Sequence, residues 1–366
     1  MIPSRRMRSP HRSVPLRRIA NLAICAIVAI GLLDQSSFAA SGDAVPKRRA
    51  EARTIYTERD DVRAFIAEMS SEHGFDAREV ERWLASARFQ PKVVELMSRP
   101  ILEPPKWFEY APQFLAQARV DAGVAFWNEH APILVRAESE SGVPAEVIVA
   151  IIGVETYYGR YTGSHRVIDA LATLAFDYPR RATFFRGELK QFLLLSREQG
   201  ISPLSAKGSF AGAMGLPQFM PGSYRRYAVD FDRTGRADLF ASVEDAIGSV
   251  ANYLARHDWQ RNQPVLLPAR IAPAHQEGIA RHLDGGLSER RLASMWATDG
   301  VTPVAWPGVV GPEPWGLLLL EESNSESSYW IACHNFFVIT RYNRSRLYAT
   351  AVWQLAQALR AARSPR

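Results

Sequence analysis

IIGVETYYGRYTG, residues 151–163, sets one carboxylate, Glu155, into an apolar run that breaks up into tyrosines and glycines. Extended backwards to GVPAEVIVAIIGVETYYG, the stretch reads as one helix, with Pro144 suited to the first turn and Gly159 to the end. Ile148, Ile151, Ile152 and Glu155 fall at i, i+3, i+4 and i+7, so the carboxylate shares the apolar face. Burial there penalises the charged form and raises the pKa, as a general acid working near neutral pH requires. Periodicity alone is evenly divided between that reading and a helix-end glutamate bonded to Tyr157 or Tyr158.

Working outward, helical spacing continues on both sides of this segment. Amphipathic stretches run from about residue 112 to residue 259, and before them Val62, Phe65, Ile66 and Met69 repeat at three and four residues. RPILEPPKW (99–107) breaks the pattern with three prolines. From residue 262 to residue 340 the runs are short and separated by proline, glycine and serine, as in QPVLLPARI, WGLLLLEES and SYWIACHNFFVIT, which predicts strands. YATAVWQLAQALRAAR then returns to helix, and no internal repeat is visible. The fold class expected is mainly α (α+β). Its units are an N-terminal helical region over 57–110, a helical core over 111–261, a small strand-rich subdomain over 262–340 and a C-terminal helix over 341–366.

The start of the chain reads as an export signal. Six arginines precede IANLAICAIVAIGLL (19–33), and Ser37 and Ala39 supply small residues for cleavage after Ala39. The apolar run is shorter than the roughly 20 residues that span a bilayer, and bulky Ile24 before Cys25 argues against a lipid anchor. Residues 40–56 are polar and predict a flexible leader. Removing 1–39 lowers the net charge from +6 to about +1, so the basic balance is no argument for nucleic acid. Cys333 is then the one cysteine left, which excludes an internal disulfide and a cysteine metal cluster.

Three further stretches carry chemistry. In SAKGSFAGAMGLPQFMPGSY (205–224), glycines allow close backbone approach, and Ser209 and Gln218 bring a hydroxyl and an amide suited to a polyhydroxylated ligand. A tight connection between core helices explains the same residues. In DFDRTGRADLF, oxygen donors stand at positions 1, 3, 5 and 9 (Asp230, Asp232, Thr234, Asp238), with Gly235 at 6 and the Arg236 carbonyl at 7, the spacing of an EF-hand loop. Position 12 is Ala241, so Glu244 or Asp245 would have to replace the usual glutamate, and an Asp/Gly-rich surface turn is the competing reading. In RYNRSRLYA (341–349), Tyr342 and Tyr348 offer rings for sugar faces and Asn343 an amide for an acetamido group.

Taken together and in order, GVETYYGRYTGSHRVIDALATLAFDYPRRATFFRGEL, KGSFAGAMGLPQFMP, DFDRTGRADL, DAIGSVANYLARHDW and TRYNRSRLYATAVWQL resemble the membrane-bound lytic murein transglycosylase B family, over roughly 60–358. The resemblance implies a lysozyme-like helical core with an accessory helical domain and a small β domain. It also implies cleavage of the β-1,4 bond between N-acetylmuramic acid and N-acetylglucosamine in peptidoglycan. It assigns the acid to Glu155, substrate contacts to Ser209, Gln218, Tyr342, Asn343 and Tyr348, and a calcium loop to Asp230, Asp232, Thr234, Arg236, Asp238 and Asp245. Thr234 stands where the family has an aspartate. No cofactor is required for turnover on this reading, and calcium would be structural.

The implied setting is the periplasm, with a monomer acting on glycan strands and meeting cell-wall synthases or division proteins. Ordinary glycosidases need two carboxylates, and none near Glu155 in sequence shares its face. A lytic transglycosylase needs one, because the substrate supplies the acetamido group and the attacking C6 hydroxyl, leaving 1,6-anhydromuramic acid ends. A hydrolytic muramidase on the same fold and a non-catalytic glycan-binding protein are the alternatives.

Overall fold

The computed structural model describes residues 56–99, 104–283, 287, 289–305 and 314–364. The expected export signal, and the leader up to residue 55, lie outside these residues. Three helices come first: α1 (Asp60–His73), α2 (Ala77–Ala85) and α3 (Pro91–Ser98). Short α4 (Trp107–Tyr110) and α5 (Pro112–Leu115) lead into α6 (Gln117–Glu129), α7 (Ala131–Ser141) and α8 (Ala145–Thr156). After β1 (His165–Arg166) come α9 (Val167–Asp177) and α10 (Ala182–Gln199), then β2 (Lys207–Gly208), α11 (Pro221–Tyr227) and α12 (Val243–Arg256). The chain continues through β3 (Leu266–Ile271), α13 (Gln276–Ile279), α14 (Ala293–Thr298), β4 (Val301–Pro303), β5 (Gly316–Glu321) and β6 (Ser327–Ala332), and finishes with α15 (His334–Tyr342) and α16 (Arg346–Arg363). The molecule is thus mainly helical with small antiparallel sheets.

Helix α8 is the axis of the helical body. Val147 to Ile152 have no exposed surface, and a helix apolar on every side must be wrapped by others. Here α6, α7, α12 and α16 wrap it. Each buried Val or Ile side chain contributes roughly 1.5–3 kcal/mol, so this helix is firmly placed. Gly153 lets one ring come close: a Cβ there would stand 2.6 Å from the Tyr158 ring.

The helix stops earlier than Gly159. Tyr157 and Tyr158 both take left-handed backbone, with φ of 52° and 57°. Such conformations cost about 1–3 kcal/mol each and persist where the surroundings hold them. The Thr156 hydroxyl does part of that holding, accepting from Gly159 N at 3.0 Å and donating to the Leu216 carbonyl at 3.0 Å.

The N-terminal helices dock on α9. Tyr56, expected at the end of a flexible leader, has no exposed surface, and its hydroxyl donates to Asp177 at 2.9 Å. Arg59 pairs with both Asp177 and Asp61, fastening the same corner. Trp107 and Tyr110, expected with the N-terminal region, instead pack with Phe114, Leu320 and Leu347. Apolar demand from α16 and the sheet draws them away from α1–α3.

The strand-rich stretch forms a four-stranded antiparallel sheet in the order β4-β3-β6-β5 over a small core that includes Trp296, Trp315 and Ile331. HNFFVIT, expected among the strands, is the helix α15. Asn335 holds its start, its side chain bonded to the Gln260 and Gln263 backbones, while Phe336 and Ile339 join the main core.

Candidate active site

Glu155 sits in the last turn of α8 and opens into a cavity lined also by Ala211, Ala213, Gln218, Phe219, Met220, Ser223, Tyr253, Tyr342 and Asn343. Tyr348, from the first turn of α16, donates to its Oε1 at 2.6 Å. The side chain keeps some exposed surface at the cavity floor, yet protein crowds the carboxyl so closely that desolvation dominates. Its pKa rises from 4.5 to about 8, with the Tyr348 bond opposing the rise. Glu155 is therefore a protonated acid at neutral pH, and the tyrosine keeps its orientation fixed. The helix-end alternative does not describe it: Tyr158 turns its hydroxyl toward Gly123 and Gly153 instead.

The other residues singled out in sequence divide by what their polar atoms do. Tyr348 is 1% exposed, so it has no ring face left for a sugar and works on the carboxylate. Tyr342 stays at the cavity wall, with its hydroxyl on the Pro217 carbonyl at 2.6 Å and its ring against Phe219 and Tyr253. Asn343 is buried in the same wall. Gln218, at φ 51°, gives its amide hydrogens to the Thr162 and Gly215 carbonyls, which leaves the amide oxygen for the cavity. Ser209 Oγ accepts from Ala211 N and Ala213 N, so the loop itself uses the oxygen. What Ser209 has left for a ligand is its hydroxyl hydrogen.

The acidic loop lies apart from this cavity. Carboxylate oxygens of Asp230, Asp232 and Asp245 come within 4.8 Å of one another. Asp245 has no exposed surface and accepts from the Phe231, Asp232 and Asp238 amides, which folds the loop around it. Asp230 accepts from Thr234 N and Gly235 N. Asp238 turns elsewhere, accepting from Phe240 N and Ala241 N and pairing with Arg236. Three convergent carboxylates suit a hard dication, and residues beyond Ala241 do contribute one of them.

A family model described as a transglycosylase SLT domain matches residues 57–357. This chain belongs to that family. Membrane-bound lytic murein transglycosylase B of Escherichia coli (strain K12) is 43% identical to it over 308 residues, 82% of each chain. The structure of catenated lytic transglycosylase SltB1 from Pseudomonas aeruginosa matches with a TM-score of 0.79 at 44% identity, over 84% of this chain and 99% of that one. The Escherichia coli lytic transglycosylase Slt35 in complex with calcium matches with a TM-score of 0.75 at 42% identity, over 85% of this chain and 94% of that one.

The family resemblance read from the ordered motifs is thereby borne out, and the protein is a lytic murein transglycosylase acting on peptidoglycan. The Escherichia coli relative is named as membrane-bound. Among the described residues here, no helix is long and apolar enough to cross a membrane.

Within this transglycosylase, sequence reading missed Tyr253, Phe219, Met220 and Ser223 as cavity residues. Tyr253 is the most telling, since its ring packs on Tyr342 and Phe219 and its hydroxyl donates to the Arg341 carbonyl at 2.5 Å. With Ala246 and Val250 it makes an i, i+4, i+7 apolar face on α12, and that spacing reads as core. Nothing in the sequence separates a tyrosine that fills a core from one that ends at a cavity.

Proposed function

We propose that this transglycosylase cleaves the β-1,4 bond between N-acetylmuramic acid and N-acetylglucosamine with Glu155 as its single acid and base. The supporting observation is that, among the described residues lining the cavity, Glu155 is the one carboxylate, with its pKa raised to about 8. Protonated Glu155 gives its proton to the glycosidic oxygen as the C1–O bond breaks. The acetamido carbonyl of the muramic acid carries the positive charge developing at C1. The C6 hydroxyl of the same sugar then attacks C1 and returns its proton to Glu155, so no water is consumed and a 1,6-anhydro end results. Making that attack intramolecular gives a large entropic advantage over capturing water.

The surrounding groups divide by their chemistry. The Gln218 amide oxygen, the Asn343 amide and the Ser209 hydroxyl hydrogen are suited to orienting acetamido and hydroxyl groups, and the Tyr342 ring to a sugar face. Tyr348 holds the carboxyl. Asp230, Asp232 and Asp245 would hold a calcium ion, with Thr234 contributing oxygen, and the ion would tie the loop to α12 without entering the reaction. Murein lies outside the cytoplasmic membrane, so the reading requires export to the periplasm.

Product analysis tests this. Mass spectrometry of digested sacculi should show muramic ends lighter by one water than hydrolysis would leave. Reducing ends in their place would replace the proposal with a hydrolytic muramidase, and absence of any cleavage with a glycan-binding role.

A further inference from the structure

Three arginines stand close to residues of the cavity wall. Arg341 immediately precedes Tyr342, and its carbonyl accepts the Tyr253 hydroxyl. Arg226 lies one turn beyond Ser223 on α11 and places its guanidinium 5.8 Å from the Tyr227 ring, which packs on Tyr253. Arg290 comes from the strand-bearing subdomain and lies 3.6 Å over the ring of Phe337, one turn before Arg341 on α15. Tyr227 and Tyr253 thus link Arg226 to the backbone of Arg341, and Arg290 reaches the same helix α15 through Phe337. Among the described residues none of the three forms an ion pair, and all three are exposed.

Their fields overlap. His257, packed on Tyr253 and Tyr227, has its pKa lowered by burial and lowered further by Arg341 and Arg226. Arg290, exposed as a residue but with its guanidinium covered on one face by Phe337, is likewise lowered by that partial desolvation and then by Arg341. Glu188 feels Arg226, but its carboxylate is held by the Gly222 N–H at 2.9 Å. Uncompensated like charges cost stability, and a mature chain of net charge about +1 has no general excess of cations to account for them.

We propose that Arg226, Arg290 and Arg341 form a specificity rim that binds the carboxylates of the peptide stems carried by the glycan strand. The inference rests on murein being the substrate. A strand threading the cavity past Glu155 carries its stems outward from the muramic acid lactyl groups, and those stems end in and contain free carboxylates. Arginine suits them because its planar fork can bond a carboxylate in two places. On a bare strand the one carboxylate of each muramic acid is the lactyl group beside the ring, whereas a stem carries its carboxylates farther out, so the rim discriminates between stem-bearing and bare strands while the cavity does not.

The test compares stem-bearing glycan strands with the same strands stripped by an amidase, using wild type, each Arg→Gln variant and the triple variant. Each substitution is expected to raise KM on stem-bearing strands roughly two- to five-fold, the usual worth of an exposed ion pair, and the triple variant about ten-fold or more. The effect should shrink at high salt, leave kcat nearly unchanged, come with thermal stability equal to or slightly above wild type, be much smaller on stripped strands, and be partly restored by Arg→Lys. An equal rise on both substrates, or none on either, overturns the rim. Lack of anhydro products from wild type on both substrates would instead overturn the murein reading beneath it.

Discussion

The Tyr348 hydroxyl and the Glu155 carboxyl, 193 positions apart in the chain, meet at 2.6 Å. The bond joins the last turn of the buried helix α8 to the first turn of the C-terminal helix α16. Both partners are pressed toward their neutral forms by burial, so the tyrosine remains a donor over the whole working range.

Glu155→Gln keeps the shape and removes the proton. Release of soluble muropeptides should fall by a thousand-fold or so, the range lost with a general acid, while binding of the variant to sacculi persists. Residual cleavage within ten-fold of wild type would remove Glu155 from the reaction.

The same variant should be the more stable protein above acidic pH. A folded pKa of about 8 against 4.5 unfolded means that the native state holds a proton which the unfolded state has lost anywhere between those values. Stability conferred by wild-type Glu155 therefore falls as pH rises through that window, and glutamine has no such slope. Unfolding free energies of the two proteins should coincide near pH 4 and diverge toward pH 8, by up to about 5 kcal/mol.

Tyr348→Phe removes the one bond that pulls the Glu155 pKa down. The alkaline limb of the kcat/KM profile, expected near pH 8 in wild type as the acid deprotonates, should move to higher pH in the variant. The optimum rate should drop about ten-fold as the carboxyl loses its anchor. An unmoved limb would show that another group controls it.

Gly153→Ala would gain about 1 kcal/mol of helix propensity on an exposed helix. Here the added methyl meets the Tyr158 ring at 2.6 Å, so urea denaturation should report a net loss of about 1–3 kcal/mol.

Calcium should raise the melting temperature by a few degrees in wild type and leave Asp245→Asn unmoved, since a ligand bound only by the folded state stabilises it by mass action. Anhydro-product formation with excess chelator should continue at the lower temperature, because the loop that would hold the ion lies apart from the cavity. An identical thermal response in both proteins would mean that Asp245 is no ligand.

The local sequence carried the periodic helices, the antiparallel strands and the loop motifs, because each is a pattern of near neighbours. Glu155 was visible as a carboxylate on an apolar face, with its role undecided between acid and bystander until family likeness entered. HNFFVIT was misread because a short apolar run is equally good strand and helix, and Asn335 chose between them through Gln260 and Gln263, some 75 residues upstream.

Tertiary structure decided the rest. That Tyr348 serves the carboxyl rather than a sugar, that Ser209 binds its own loop, that Tyr253 lines the cavity and that three arginines stand close to its wall all depend on distances between remote segments. Sequence periodicity orders side chains around one helix, whereas burial and hydrogen bonding depend on which helices come to lie against it.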